Sequence, residues 1–108
     1  MRITDDRAEL ALRYLAETDE EAAALKTDAE RAEFKAKATR DAIFRRLQGS
    51  VADRTAEAGS SAEYTLAMAG YFDALQKYEA VRNKRGTESI VVDTWRTIQA
   101  NQRRGNVT

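Results

Sequence analysis

The sequence predicts an all-α protein: an antiparallel hairpin of long helices, with a short N-terminal helix and a C-terminal helical extension, assembled into an oligomeric bundle. Three observations predict it. Apolar residues recur three and four apart, most plainly at Tyr64, Met68, Tyr71, Leu75 and Tyr78, a stripe down one side of a helix. The 108 residues include no proline, so long helices run without a built-in breaker. Two Ser/Thr-x-x-Glu boxes, Thr18 to Glu21 and Ser60 to Glu63, mark helix starts. A chain of this length is expected to form a single helical domain over residues 1–108.

The first helix is expected over residues 5–17, where Ala8, Ala11, Leu12 and Leu15 share a face. Thr4 or Asp5 caps it, and Asp5, Asp6 and Glu9 suit the positive end of the helix dipole. The box at Thr18 ends this helix and starts a second, from about Asp19 toward Ala58. Its early seam is Ala22, Leu25, Ala29, Ala32 and Ala36, small enough for a close neighbour; Ile43, Leu47 and Val51 carry the stripe onward. Gly49-Ser50 is its soft spot, with a continuous helix expected and a break as the alternative.

Gly59-Ser60-Ser61 reads as the reversal, with Gly59 in the left-handed conformation and Ser60 capping the third helix. A single short turn there makes the flanking helices antiparallel and sets residues near 40 opposite residues near 79. The third helix carries the tyrosine stripe and a second, small-residue stripe of Ala67, Gly70, Ala74 and Val81. Two stripes imply two packing partners, one of them a second copy. Tyr64, Met68, Tyr71, Leu75 and Tyr78 are therefore the candidate self-association set. The third helix either stops at Gly86-Thr87, with Thr87 capping a fourth, or continues to about Arg103. Val91, Trp95 and Ile98 keep helical spacing through the β-branched Ile90-Val91-Val92 run, and the tail is expected to fray over 105–108.

Composition narrows the chemistry. Cysteine and histidine are both absent, which removes disulfides, thiolate and imidazole metal ligands and the usual general base near neutral pH. No glycine-rich phosphate loop is present. The expectation is a non-enzymatic protein with no catalytic residues, metal or cofactor. No apolar stretch approaches the ~20 residues of a membrane span, and the first residues lack a signal peptide's apolar core, so a cytoplasmic protein without membrane contact is expected.

Lys plus Arg and Asp plus Glu balance at 18 each, but unevenly along the chain. Residues 1–36 carry ten acids against six bases, and residues 37–108 eight acids against twelve bases. Two basic segments stand out, residues 35–54 and 82–104. A hairpin folded at Gly59 would bring Lys37 and Arg40 near Arg82, Lys84 and Arg85, so that the two basic segments share one zone, and these five with Arg45 and Arg46 are the candidate ligands. Such a zone suits the phosphates of nucleic acid or an acidic partner; the alternative is a solvated surface neutralised by the acidic N-terminal part. Trp95 belongs to a helical stripe and reads as a partner anchor, with base stacking as the alternative.

The segments KATRDAIF (Lys37 to Phe44), YEAVRNKRGTE (Tyr78 to Glu88) and VVDTWRTIQANQRRGN (Val91 to Asn106) resemble those of small uncharacterised helical proteins of tailed phages and prophages. The resemblance implies a phage setting beside genes of DNA recombination or replication, in the host cytoplasm. It brings no functional residue with it. The leading expectation is an oligomeric phage-type accessory protein that binds DNA or a DNA-associated protein. The alternatives are a structural or counter-defence adaptor contacting only protein, and a sensor holding a small anionic ligand at a subunit interface.

Overall fold

The computed structural model describes residues 2–107, with backbone only for Asn106 and Val107. It is all-α, with three helices and no strand among the described residues. Helix α1 spans Asp5–Arg46, α2 spans Val51–Gly59 and α3 spans Ala62–Val107. The two long helices, α1 and α3, pack against each other as the expected hairpin.

Several boundaries differ from the expectation, each for a local reason. Thr4 caps α1, its hydroxyl accepting from the Arg7 amide at 3.1 Å. Helix α1 does not restart at Thr18. The Thr18 hydroxyl instead donates to the Tyr14 carbonyl one turn back, at 2.7 Å, inside an unbroken run of good helix formers. The short helix therefore lies between the long ones and not at the N-terminus.

The chain breaks at Gly49, whose φ of +119° is open to glycine and strained for other residues. Ser50 follows as the cap of α2, in extended conformation, accepting from the Asp53 amide at 3.1 Å. Gly59 does not take the left-handed conformation; it is the last residue of α2. The cap of α3 is Ser61, one residue later than expected, accepting from the Tyr64 amide at 3.2 Å. The Ser60 hydroxyl is directed back to the Ala56 carbonyl at 2.9 Å. Helix α3 runs straight through Gly86, which is exposed with no atom crowding it. The end expected to fray is helical to Val107, and Thr108 lies outside the described residues.

Contacts group the chain into two compact units. Unit 1 joins Met1–Ala22 with Ala80–Thr108, and unit 2 is Ala23–Glu79. In unit 1, Arg7 meets Glu88 and Lys84 meets Tyr14. In unit 2, Arg46 meets Glu63 and Arg40 meets Tyr64. Both sets place α1 and α3 antiparallel. The expected register, with residues near 40 opposite residues near 79, is corrected: Arg40 stands over Tyr64, its guanidinium carbon 5.6 Å from the ring centre. The reversal is not one turn at Gly59, because α2 and its two flanking breaks occupy residues 47–61.

The seam is built from small residues on α1. Ala8 and Ala11 are buried in unit 1, and Ala29, Ala36 and Ile43 in unit 2. These positions keep the three-four spacing that holds one face of a helix against its neighbour. Helix α3 answers with larger side chains, half-buried Tyr64, Tyr71 and Tyr78 in unit 2, and Val92 in unit 1. Small against large fills the space between closely spaced helices. No large side chain is fully buried among the described residues. The seam is thin, and polar contacts at its edges carry part of the packing.

Candidate association surface

In unit 1 the charge asymmetry of the sequence is resolved inside the chain. Residues 1–22 carry seven acids against three bases, and residues 80–108 carry six bases against two acids. The fold lays one against the other. Arg85 Nη1 donates to the Leu15 carbonyl at 2.7 Å and to the Thr18 hydroxyl at 2.6 Å, and Nη2 reaches Asp19 at 3.3 Å. Its side chain is only 22% exposed, so this guanidinium is spent on α1. The Lys84 ammonium lies 4.5 Å from the centre of the Tyr14 ring, a cation–π contact. Arg7 Nη2 hydrogen-bonds Glu88 Oε1 at 3.0 Å and lies 2.7 Å from Oε2, where the contact is an ion pair without hydrogen-bond geometry. Arg82 is exposed on α3 and engaged in an interaction of its own.

Trp95 is half-buried in unit 1, and its indole N–H donates to Asp5 at 2.9 Å. Gln99 adds a weaker contact to the same carboxylate oxygen at 3.4 Å. The tryptophan thus fastens the first turn of α1 to α3 within the chain, where the sequence reading made it an anchor for a partner.

The basic residues of unit 2 have other neighbours. Lys37 pairs with Glu33 at 2.8 Å, one turn back on α1. Arg40 lies over Tyr64 and 4.0 Å from Asp41. Arg46 pairs with Glu63 at 2.6 Å, both side chains exposed, a pair of little energetic weight. Arg45 is exposed in the last turn of α1, where a cation suits the helix dipole. The seven candidate phosphate ligands thus divide between two units: Lys37, Arg40, Arg45 and Arg46 in unit 2, and Arg82, Lys84 and Arg85 in unit 1. The register that would have merged them is not formed.

Around the Lys37–Glu33 pair the charges shape each other. The Lys37 ammonium, through its hydrogen bond and then its charge, holds the Glu33 carboxyl below the usual carboxylate range. Glu33 in turn raises Lys37. Tyr71 is pushed up from the ordinary tyrosine value, first by desolvation against α1, then by the charge of Glu33 and their hydrogen bond. Lys26, Ala29, Glu30, Glu33, Tyr71, Leu75 and Tyr78 line the shallow cleft where this occurs.

The candidate self-association residues are largely consumed within the chain. Tyr64, Tyr71 and Tyr78 are half-buried in unit 2 together with Ala67 and Ala74 of the small-residue stripe, while Gly70 of that stripe is exposed and Val81 is half-buried in unit 1. Met68 and Leu75 are half-buried too. What remains outside is a third set that stripe reasoning missed: Leu66 and Phe34, each 76% exposed, with Phe72 at 56%. Isolated exposed apolar residues need no explanation. Phe72, however, is not isolated. Gly59, Tyr64, Thr65, Met68 and Ala69 surround it and form an open groove of about 370 Å³. The signal for it was the spacing of Thr65, Met68, Phe72 and Leu75, a helical row turned one step away from the tyrosines.

Among the described residues no three Asp, Glu, His or Cys side chains converge to hold a metal ion. Among the described residues no helix is long and apolar enough to cross a membrane. Comparison with protein-family models, curated proteins and solved structures finds no match.

Proposed function

We propose that this chain works by binding protein, as a coiled-coil hairpin adaptor that docks through its outward apolar positions. One observation carries the reading: Arg85 of the basic knot is spent on α1, with Arg82 and Lys84 exposed, while large apolar side chains are turned outward. Lys84 lies over Tyr14 of α1, and Leu66, Phe72 and Phe34 stand exposed. A phosphate binder needs the reverse, with cations presented to solvent on one continuous face.

Two measurements decide between this reading and direct DNA binding. Titration of labelled duplex and single-stranded DNA at low salt is expected to give no complex. Capture from cell extract on the immobilised chain is expected to retain a stoichiometric protein partner, weakened by Leu66→Asp or Phe72→Asp. Salt-sensitive DNA binding that is lost in an Arg45→Ala, Arg46→Ala double variant would overturn the adaptor reading.

A further inference from the structure

We infer that α2 is an autoinhibitory strap: it occupies a docking site at the C-terminal end of α1, and a partner's helix that carries an arginine displaces it. The inference rests on the reading that the chain works by binding protein, and it adds a site apart from Leu66 and Phe72. Strap and site both lie within unit 2.

The strap is held chiefly at one point. Arg54 donates from Nε and Nη2 to the Phe44 carbonyl, at 3.2 and 3.0 Å, and its guanidinium carbon lies 4.0 Å from the centre of the Phe44 ring. Of the nine residues of α2, only Ala58 is buried. Val51, Ala52, Asp53, Thr55, Ala56 and Glu57 face solvent. The Ser50 and Thr55 hydroxyls bond within the strap itself, to the Asp53 amide and the Val51 carbonyl. A helix of nine residues is marginal by itself. Its N-terminal side is free to hinge, because Gly49 takes a φ of +119° and residues 47–50 are not helical.

Packing beneath the strap is incomplete. Arg40, Asp41 and Phe44 of α1 and Thr55 and Ala58 of α2 line a cleft of about 380 Å³. The strap presents a threonine and an alanine to a space with room for larger side chains. A partner helix with a bulkier residue at the place of Thr55 fills it better than α2 does.

What α2 presents defines the chemistry of its competitor. Arg54 and Ala58 are one helical turn apart, so guanidinium and packing position share a face. The site suits a cation three times over. The last-turn carbonyls of α1 form the negative end of its dipole, the Phe44 ring offers a π face, and Asp41 lines the cleft. The nearby Arg40 and Arg46 are engaged on Tyr64 and Glu63. Arginine is favoured over lysine because one planar guanidinium reaches the carbonyl with two N–H groups and lies on the ring at once.

The probe is a fluorescein-labelled peptide of residues 48–61, titrated against the full chain. Wild type, whose own α2 fills the site, is expected to bind it weakly. Arg54→Ala frees the site, and the chain should bind the peptide at least about tenfold more tightly, since apparent affinity follows the open fraction. Placing Arg54→Ala or Arg54→Glu in the peptide should abolish the gain, and Thr55→Leu in the peptide should strengthen it. In wild type, excess peptide should speed amide exchange over residues 51–59 by displacing the strap, a readout that does not depend on how the variant folds. An Arg54→Ala chain that binds no tighter than wild type, a peptide that binds as well with alanine or glutamate for its arginine, or exchange over 51–59 untouched by the peptide overturns the inference. The peptide needs no cellular partner, so its failure removes the strap alone, and failure of capture from extract removes the adaptor reading whatever the peptide does.

Discussion

Arg85 Nη1 donates to the Leu15 carbonyl at 2.7 Å, joining α3 to the backbone of α1 across seventy residues of sequence. The same nitrogen donates to the Thr18 hydroxyl, which itself donates to the Tyr14 carbonyl. The three groups form a relay in which each bond polarises the next. Arg85→Ala is expected to cost about 1.5–3 kcal/mol, the range for hydrogen bonds from a charged donor. Arg85→Lys should recover only part, because one ammonium does not span a carbonyl, a hydroxyl and Asp19 as the planar fork does. Arg13→Ala removes an exposed pair with Glu9 and is expected to cost under about 1 kcal/mol. Urea denaturation measures all three, and equal losses for Arg85→Ala and Arg13→Ala would refute the relay.

Two glycines should respond with opposite signs. Gly49 holds φ +119°, so Gly49→Ala forces a side chain into a strained conformation and is expected to destabilise by about 1–2 kcal/mol. Gly86 is helical and open, so Gly86→Ala trades backbone freedom for helix propensity and is expected to stabilise by about 0.5–1 kcal/mol. Thermal melts of the two variants beside wild type should bracket it, and a loss on Gly86→Ala would show that the backbone there is not ordinary helix.

Tyr71 ties proton binding to the seam. Desolvation and the neighbouring Glu33 raise its pKa, so the folded chain holds the phenol proton more tightly than the unfolded chain does. That stability is fully present below the ordinary tyrosine value of about 10 and is lost as pH rises through the folded value. Glu33 has the opposite sign: its pKa is lowered, so its contribution is present above the unfolded value and lost as pH falls through the folded one. Titration of the phenolate absorbance is expected to lose its late component in Tyr71→Phe. In Glu33→Gln that component should move toward the ordinary value. A late component untouched by either substitution would show that Tyr71 does not meet Glu33 as described.

The helical class was legible because periodicity survives without knowing the partner. The seam positions of α1 and the tyrosines of α3 are visible in spacing alone. Which stripe met which partner was not legible. Tyr64, Met68, Tyr71, Leu75 and Tyr78 read as a self-association set, yet Tyr64, Tyr71 and Tyr78 are half-buried within the chain, with Ala67 and Ala74 of the second stripe half-buried alongside them. Register depended on where the chain reversed. The chain breaks at Gly49 and again after Gly59, and in unit 2 Arg40 meets Tyr64 and not the basic knot. Thr18 misled for a related reason: a Ser/Thr-x-x-Glu box is compatible with a helix start but does not compel one. In the helix interior the same hydroxyl bonds back to the preceding turn. The inward use of Arg85 was hidden because charge counts do not say which carbonyl a guanidinium will find.

The break at Gly49 is latched by Arg54. Its Nε and Nη2 donate to the Phe44 carbonyl at 3.2 and 3.0 Å, and its guanidinium carbon sits 4.0 Å from the centre of the Phe44 ring. Phe44 lies in the last turn of α1, where its carbonyl accepts from the Leu47 amide only at 3.3 Å, so Arg54 from α2 adds a C-terminal cap reaching back across the break. Arg54→Ala removes both the bonds and the ring contact, and is expected to cost about 2 kcal/mol. The loss should be local, because α2 is short and buries little beyond Ala58. Amide hydrogen exchange should therefore speed up by about tenfold or more over residues 51–59 while the α3 amides of unit 1 stay protected. Phe44→Leu keeps the carbonyl bonds and loses only the ring, so its effect should be about 0.5–1 kcal/mol. If Arg54→Ala accelerated exchange equally along the whole chain, α2 would be an integral part of one cooperative fold and not a latched segment of unit 2.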